Sequence, residues 1–217
     1  MVTPAAIKDL RERTAAPMGD CKKALEESGG DMAKAIEFLQ KKSMASAAKK
    51  SGRIAAEGRV GSYVHHDGRT AVLIEVNSES DFVAKTDDFK EVVNALCLQI
   101  AAMSPKYIRK EDVPAPELAK QREIYEAQVR ELGKPEALVP KIADGKLNAW
   151  YGDICLLDQT FVKDDKLTVG KWLAERTGKM GENVVVRRFV RYELGEGLEK
   201  RTDDFAAEVA RMAQVAA

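Results

Sequence analysis

The spacing of the apolar residues changes near residue 58, and this change limits the chain to folds that combine helices with a small sheet. Before it, apolar residues recur every three or four positions, as they do on one face of a helix. After it, side chains alternate from Val60 to His66 and lead to Asp67-Gly68, a dipeptide typical of a hairpin turn. Residues 71–76 are then predicted to form the returning strand of an antiparallel hairpin.

Residues 1–42 are predicted to form an independent bundle of three short helices. Thr3 before Pro4 is an N-cap signal, Gly29-Gly30 ends the second helix, and Asp31 caps the third. The residues predicted to face inward are Ile7, Leu10 and Thr14 in the first helix, Met18, Cys21 and Leu25 in the second, and Met32, Ala35, Ile36 and Leu39 in the third.

Residues 43–57, rich in Ala and Lys, are predicted to be a helical or semi-flexible linker. The basic residues in and beside it are Lys41, Lys42, Lys49, Lys50 and Arg53. Such a tract can bind phosphate, but Lys and Arg number 35 and Asp and Glu also number 35, so the formal net charge is zero. Because nucleic-acid binding needs a clustered positive surface, the linker interpretation is favoured and no nucleic-acid partner is expected.

Residues 58–195 are predicted to form an α+β core around the hairpin. Thr86 caps a long amphipathic helix that Pro105 ends. The predicted inner face of this helix consists of Phe89, Val92, Val93, Leu96, Ile100 and Met103. Residues 116–150 are expected to form an antiparallel helical hairpin turned by Gly133-Lys134-Pro135. The residues predicted to line this hairpin are Leu118, Tyr125, Val129, Leu132, Leu138 and Ile142.

The remaining segments complete the predicted fold. A short helix is predicted from Leu167 to Lys179, and a third strand from Val184 to Leu194. The strand residues predicted to share one face are Val184, Val186, Val190, Tyr192 and Leu194. Residues 196–217 are predicted to form a C-terminal helical module, with Thr202 as its cap and Phe205, Val209 and Met212 on one face. The predicted class is thus α+β: a bundle, a linker, a core with a small antiparallel sheet packed by helices, and a C-terminal helix.

The expected location is the cytoplasm, with no membrane partner. Cys21, Cys97 and Cys155 are far apart and odd in number, so no disulfide framework is expected and a reducing compartment is favoured. The N-terminal residues lack the charged and apolar runs of a signal peptide. No apolar run approaches about 18 residues, the length of a membrane-spanning segment.

The sequence shows no pattern that indicates catalysis. Neither a G-x-x-x-x-G-K-[ST] phosphate loop nor a G-x-S-x-G elbow is present. The two histidines, His65 and His66, would point to opposite faces if both lay on a strand, and so would hold no metal together. The favoured reading is a pair at the tip of the hairpin. The pairs Asp87-Asp88 and Asp164-Asp165 are typical of helix caps and loops. We therefore expect no catalytic residue, metal site or cofactor, and no enzymatic activity.

The segment Ser80-Asp81-Phe82-Val83 differs from an ordinary loop because it places two apolar residues in a polar connection. Phe82 and Val83 either fold back onto the sheet or protrude from it. A protruding aromatic side chain on a well-anchored turn is a good anchor for a partner's pocket. The residues alone leave both readings open and slightly favour packing in the core.

The segment from Ser80 to Lys85, preceded by Glu75-Val76-Asn77, resembles the T-D-F-V-A-K signature of the bacterial translation elongation factor Ts family. Further segments resemble that family in the same order: Arg11-Glu12-Arg13-Thr14 to Met18, Asp20-Cys21-Lys22-Lys23-Ala24-Leu25, Ala48-Lys49-Lys50, Ala55-Ala56-Glu57-Gly58, Gln159, Phe161-Val162-Lys163-Asp164, Gly181-Glu182-Asn183, Arg187-Arg188-Phe189, and Asp204 to Val209. The resemblance covers essentially the whole chain, and several motifs in order are far more specific than one.

The resemblance implies a guanine nucleotide exchange factor that acts on the GTPase elongation factor Tu and promotes GDP release. In this family the N-terminal bundle is ubiquitin-associated-like and docks on the GTPase domain, and the T-D-F-V turn lies beside the partner's magnesium site. The turn residues implied to bind the partner are Ser80, Asp81, Phe82 and Val83, with Phe82 as the wedge and Asp81 as its polar neighbour. The bundle residues implied to bind it are Met18, Asp20, Lys22 and Lys23.

The sequence also departs from the family pattern. Ser80 replaces the usual Thr but keeps the hydroxyl, and Ala15, Pro17 and Gly19 alter a turn that is normally Gly-Ala-Gly-Met. The chain resembles the compact class with a single core, so a homodimer that binds two partner molecules is expected. The last helix either docks on the partner or packs on its own core. The competing hypotheses are a ubiquitin-binding module, which leaves three quarters of the chain unexplained, and an unrecognised enzyme.

Overall fold

The N-terminal part is a three-helix bundle in the computed structural model, which describes residues 2–14 and 16–198. Its helices are α1 (Pro4–Thr14), α2 (Met18–Glu27) and α3 (Met32–Lys50). Two predicted caps are confirmed: Thr3 Oγ1 accepts from the N–H of Ala6 at 3.2 Å, and Asp31 Oδ1 accepts from that of Lys34 at 3.1 Å. The bundle core consists of Leu10, Cys21, Ala24, Leu25, Ala35 and Leu39.

One prediction about the bundle is wrong. Met18 does not face inward but is 58% exposed, because Cys21 is the first buried residue of α2 and Met18 lies one turn before it. The third helix continues past residue 42 to Lys50, so the first part of the predicted linker, residues 43–57, is helical, which is one of the two forms expected for it. The Ala and Lys residues of this stretch are good helix formers. The extension also packs on the core, where Ser43 lies so close to Gly178 that a Cβ at residue 178 would be 3.2 Å from the Ser43 Oγ.

The core contains a three-stranded antiparallel sheet in the order β1-β2-β5, formed by β1 (Glu57–Val64), β2 (Thr70–Ser78) and β5 (Val185–Glu193). The predicted hairpin is confirmed: Val64 pairs with Ala71, and the N–H of His65 donates to the carbonyl of Thr70 at 2.8 Å. Gly68 in the turn has φ 68°, a conformation that favours glycine. The inner face of β2, formed by Val72, Ile74 and Val76, is buried.

The long helix α5 (Asp87–Met103) covers the inner face of the sheet. Thr86 caps it as predicted, since its Oγ1 accepts from the N–H of Phe89 at 3.2 Å. The predicted inner stripe is buried except for Met103, the last helical residue, which is exposed because the chain turns away at Ser104 with φ 47°. The sheet lies very close to α5 at Gly61, where a Cβ would be 2.2 Å from Val93 Cγ1. Helix α8 (Val169–Met180) packs against the same core.

A β-bulge in β5 changes which residues of that strand face the core. Val76 pairs with Val186 but Glu75 pairs with Arg188, so Arg187 is an extra residue on β5. The alternation of β5 side chains between the core and the outer face therefore shifts by one residue after the bulge. Val184 and Val186 are buried, whereas the residues exposed on the other side are Val190, Tyr192 and Leu194. The prediction that all five share one face is wrong, because a bulge depends on pairing with β2 and not on the strand's own pattern.

The other helices form the predicted helical hairpin from α6 (Ala115–Glu131) and α7 (Val139–Ile154). Leu132 and Leu138, which were predicted to line it, are exposed because they lie at its tip, beside the turn at Gly133. A second, two-stranded sheet of β3 (Thr160–Phe161) and β4 (Asp164–Thr168) was not predicted. Leu167 belongs to β4, so the following helix, α8, begins two residues later than expected.

The observed class is α+β, as predicted, with α4 (Asp81–Lys85) joining β2 to α5. The predicted C-terminal helix, with Thr202, Phe205, Val209 and Met212, lies outside the described residues. Among the described helices, none is both long and apolar enough to cross a membrane. The three cysteines are buried, and burial raises the pKa of the Cys97 and Cys155 thiols to about 11.

Candidate functional site

The segment singled out by the sequence is a short helix, α4, that connects β2 to the long helix α5. Ser80 is its N-cap, and the Ser80 Oγ accepts from the N–H of Val83 at 3.4 Å. At its other end the Thr86 hydroxyl donates to the carbonyl of Val83 at 2.7 Å and also caps α5. Since one threonine joins the end of α4 to the start of α5, the turn is held against the main helix of the core.

Phe82 protrudes from this turn, while its neighbours face inward. The Phe82 side chain is 81% exposed, whereas Val83 is half-buried against the core and Ala84 is buried. The reading that placed Phe82 in the core is therefore wrong for Phe82 and right for Val83. A single helical turn has only one face toward the sheet, and Val83 and Ala84 occupy it. Because the ring stays in water, the fold does not gain the roughly 1.5–3 kcal/mol of free energy that burying a phenylalanine side chain provides.

Asp81 and Lys85 form an ion pair beside Phe82. Lys85 Nζ lies 2.6 Å from Asp81 Oδ2, across one turn of α4. The hydrogen bond from Lys85 lowers the pKa of the Asp81 carboxyl, and the same bond raises the pKa of Lys85. Asp81 also lies in the first turn of α4, where the helix dipole favours a negative charge. The exposed face of the turn therefore presents one aromatic ring next to one paired carboxylate.

The base of the turn is held by residues that lie far away in the sequence. Glu182 accepts a hydrogen bond from the Ser80 N–H at 2.9 Å and another from the Ser80 hydroxyl at 2.6 Å. The neighbouring Asn183 N–H donates to Glu79 Oε1 at 2.6 Å, and Arg53 Nη1 lies 3.4 Å from the same oxygen. Glu182 has no role that its neighbours in the sequence predict, since it is 102 residues from Ser80. The one signal was its place in the Gly181-Glu182-Asn183 motif.

The four bundle residues predicted to bind a partner lie at the start of α2. Met18, Lys22 and Lys23 are exposed. Asp20 differs from them because it lies 2.6 Å from Lys42 Nζ of α3 and so joins two helices of the bundle. Asp20 and Lys42 also line a cleft of about 540 Å³ between the bundle and α8. The two predicted sets of partner-binding residues thus occupy different surfaces, one on the bundle and one at the end of β2.

A second exposed apolar surface lies on the side of the sheet that faces away from α5. Its residues, which we call the outer sheet face, are Val60, Val64, Leu73, Val190 and Tyr192. The side chains of Glu75, Arg187 and Arg188 lie at one end of it, with distances of 2.9 Å and 2.7 Å from Glu75 to the two arginines. Apolar side chains grouped in this way are typical of protein–protein contacts.

The histidine pair lies at the tip of the β1–β2 hairpin, as the favoured reading predicted. The rings of His65 and His66 do not point to opposite faces but have centroids 4.3 Å apart, because β1 ends at Val64 and both histidines lie in the turn. The Tyr63 hydroxyl lies 2.8 Å from His65 Nδ1. Within residues 2–14 and 16–198, no group of three or more His, Cys, Asp or Glu side chains is placed to hold a metal ion.

Comparison with known proteins matches nearly the whole chain to one family. The family model described as "Elongation factor TS" matches residues 3–196. The chain is 55% identical over 209 residues to elongation factor Ts of Desulforamulus reducens, covering 96% of each chain. It is 53% identical over 215 residues to that of Carboxydothermus hydrogenoformans, covering 99% of each, and 55% identical over 210 residues to that of Myxococcus xanthus, covering 97% of this chain and 96% of the relative. On this similarity, the chain belongs to the elongation factor Ts family of translation elongation factors.

Proposed function

We propose that this protein binds the GDP form of elongation factor Tu and accelerates GDP release by inserting Phe82 beside the partner's magnesium site. The observation that carries the proposal is the exposure of Phe82 on a turn that is held at both ends. A rigid aromatic residue loses little conformational entropy on binding, so most of its burial contributes to affinity. No chemistry of the protein's own is required, and the site needs no cofactor.

Exchange follows from a difference in affinity between two states of the partner. A factor that binds the nucleotide-free partner more tightly than the GDP-bound one weakens GDP binding by the same factor. Burial of one phenylalanine contributes about 1.5–3 kcal/mol, which corresponds to roughly a tenfold to hundredfold effect. Displacing Mg²⁺ removes a large positive charge from beside the diphosphate and weakens GDP binding further.

The other turn residues and the bundle have supporting roles in this proposal. Asp81 is the polar neighbour of the wedge, while Ser80 and Val83 fix the shape of the turn. Met18, Lys22 and Lys23 present an apolar and basic surface that we assign to a second contact on the GTPase, with Asp20 holding α2 to α3. As a translation factor with this role, the protein would work in the cytoplasm.

We also propose that two copies associate through the outer sheet face and bind two partner molecules. Flat antiparallel sheets pack face to face at about 10 Å, and such a contact would cover Val60, Val64, Leu73, Val190 and Tyr192. Leu73→Glu should convert the dimer to a monomer in sedimentation experiments. Ile54→Glu, at an apolar side chain that is more exposed than Leu73 but lies before β1, should leave the dimer intact. A wild-type protein that sediments as a monomer would exclude this arrangement.

The deciding measurement is release of fluorescent GDP from elongation factor Tu, with and without the protein at micromolar concentration. We expect acceleration at millimolar Mg²⁺ and a smaller acceleration after Mg²⁺ is chelated, because chelation already removes the contacts that the factor disturbs. Absence of acceleration would exclude the proposal. Binding to ubiquitin without binding to elongation factor Tu would instead support a ubiquitin-binding module.

A further inference from the structure

We propose that Glu182 is a positioning residue for Phe82: from the segment before β5, it supplies the acceptor for the Ser80 N–H that the sequence of α4 lacks. The contribution of this residue to exchange activity rests on the function proposed above. Its contribution to the structure of the turn does not, and the two are tested separately below.

Helix α4 is too short to be stable by itself. It has five residues, which provide little more than one turn, and the first turn of a helix is the unfavourable one to form. Many helices solve this with a capping box, in which an acidic side chain at the third helical position accepts from the N-cap N–H. In α4 the N-cap is Ser80 and the third helical position is Val83, which has no polar side chain. The Ser80 N–H therefore needs an acceptor from another part of the chain.

Glu182 is that acceptor. One of its carboxylate oxygens lies 2.9 Å from the Ser80 nitrogen and the other lies 2.6 Å from the Ser80 Oγ. The Ser80 hydroxyl donates to Glu182 while it accepts from the Val83 N–H, so its orientation is fixed. Both bonds to Glu182 involve an ionised acceptor and are stronger than bonds between neutral groups. The carboxylate also lies at the N-terminal end of α4, where the helix dipole favours negative charge.

The backbone around Glu182 is itself fixed. Gly181 ends α8 with φ 79°, and its N–H donates to the carbonyl of Thr177 at 3.1 Å, which directs the chain from α8 toward the turn. Asn183 is buried, and its side chain donates to the carbonyl of Arg53 at 3.0 Å. Glu182 thus extends from a rigid segment between α8 and β5. Loss of its carboxylate should loosen α4 without changing the rest of the core.

Amide hydrogen exchange of the protein alone tests the structural part. In Glu182→Ala, the N–H groups of Ser80, Val83 and Ala84 should exchange at least about tenfold faster, because the bond to a charged acceptor is lost. Glu182→Gln should give a smaller increase, since its amide oxygen can still accept one bond. The amide of Ile74 in β2 should be unchanged in both variants. Glu126→Ala, which removes a carboxylate of similar burial on α6, should leave the exchange of α4 unchanged.

Nucleotide exchange in a double-mutant cycle tests whether Glu182 acts through Phe82. Glu182→Ala should reduce the acceleration of GDP release about threefold to tenfold in the wild-type background. In the Phe82→Ala background the same change should have less than about a twofold effect, because there is no ring left to position.

Three results would overturn the proposal. They are unchanged amide hydrogen exchange in α4 of Glu182→Ala, faster amide hydrogen exchange throughout its core, and an equal loss of nucleotide-exchange activity in the wild-type and Phe82→Ala backgrounds. The first would show that α4 does not need the carboxylate. The second would show a general loss of stability, and the third an effect that does not pass through Phe82. If the wild-type protein does not accelerate GDP release at all, the proposed function fails, while the hydrogen-exchange data still decide the role of Glu182 in the turn.

Discussion

Phe82 and Val83 are adjacent in α4, yet the Phe82 ring is 81% exposed while the Val83 side chain packs against the core. Two apolar residues in one turn therefore have separate roles, one toward a partner and one toward the sheet. This separation makes the two positions a matched pair for experiment, because substitution of each should change a different property of the protein.

Phe82→Ala should reduce the acceleration of GDP release from elongation factor Tu by roughly tenfold to hundredfold, which corresponds to the burial of one phenylalanine. Its free energy of unfolding should change by less than about 0.5 kcal/mol, because the ring makes little contact with its own core. Stopped-flow fluorescence measures the rate of GDP release, and urea unfolding measures the free energy of unfolding. A variant that loses stability and activity together would show that the ring supports the fold.

Val83→Ala should reduce the stability of the protein more than its exchange activity, which is the opposite of the result expected for Phe82→Ala. Removing a half-buried side chain should lower the free energy of unfolding by about 0.5–2 kcal/mol. Urea unfolding measures this loss, and far-UV circular dichroism checks that the secondary structure is retained. Exchange activity at a temperature well below the unfolding midpoint should fall less than in Phe82→Ala. A stability equal to that of the wild type would contradict the observed packing.

Titration of Asp81 should show the ion pair with Lys85. Because the hydrogen bond from Lys85 lowers the pKa of Asp81 in the folded protein, its carboxyl should titrate below the ordinary value of 3.8. The stabilisation of the folded protein by this ion pair is then fully present above pH 3.8 and is lost as the pH falls through the lower pKa that Asp81 has in the folded protein. Carbon-13 NMR of the side-chain carboxyl follows this titration. Lys85→Ala should move the midpoint up toward 3.8, and an unchanged midpoint would argue against the ion pair.

Two glycine substitutions should change stability in opposite directions. Gly61→Ala places a Cβ 2.2 Å from Val93 Cγ1, a stiff side chain that is buried beneath the sheet, and should destabilise the protein by about 1–3 kcal/mol. Gly145→Ala adds a methyl group in open space within α7 and should stabilise it by about 0.5–1 kcal/mol. Thermal unfolding compares the two. A neutral Gly61→Ala would mean that the sheet can move away from α5.

The features that could be predicted from the sequence are those that depend on neighbouring residues. The caps at Asp31 and Thr86 and the turn at Asp67-Gly68 use partners only a few positions away, and the structure confirms all three. The apolar stripe of α5 was likewise predictable, except at Met103, where the end of the helix and not its period decides exposure.

The features that could not be predicted depend on residues far apart in the chain. The bulge at Arg187 exists only through pairing with β2, and the two strands of the smaller sheet are too short to show a period. The exposure of Phe82 depends on which face of one helical turn reaches the sheet, and the residues alone favoured the wrong answer. Glu182 was visible only as part of a motif, since its bond to Ser80 spans 102 residues.

The bulge also determines which kinds of mutation this protein can tolerate. A substitution at Arg187 removes one of two arginines beside Glu75 and leaves the strand register unchanged. Deletion of that single residue would remove the bulge and leave Arg188 opposite Glu75 and Phe189 opposite Ile74, so the following side chains of β5 would keep their faces. The register of β5 beyond this point therefore does not depend on the extra residue, so loss of the Arg187 codon should be tolerated about as well as a missense change there.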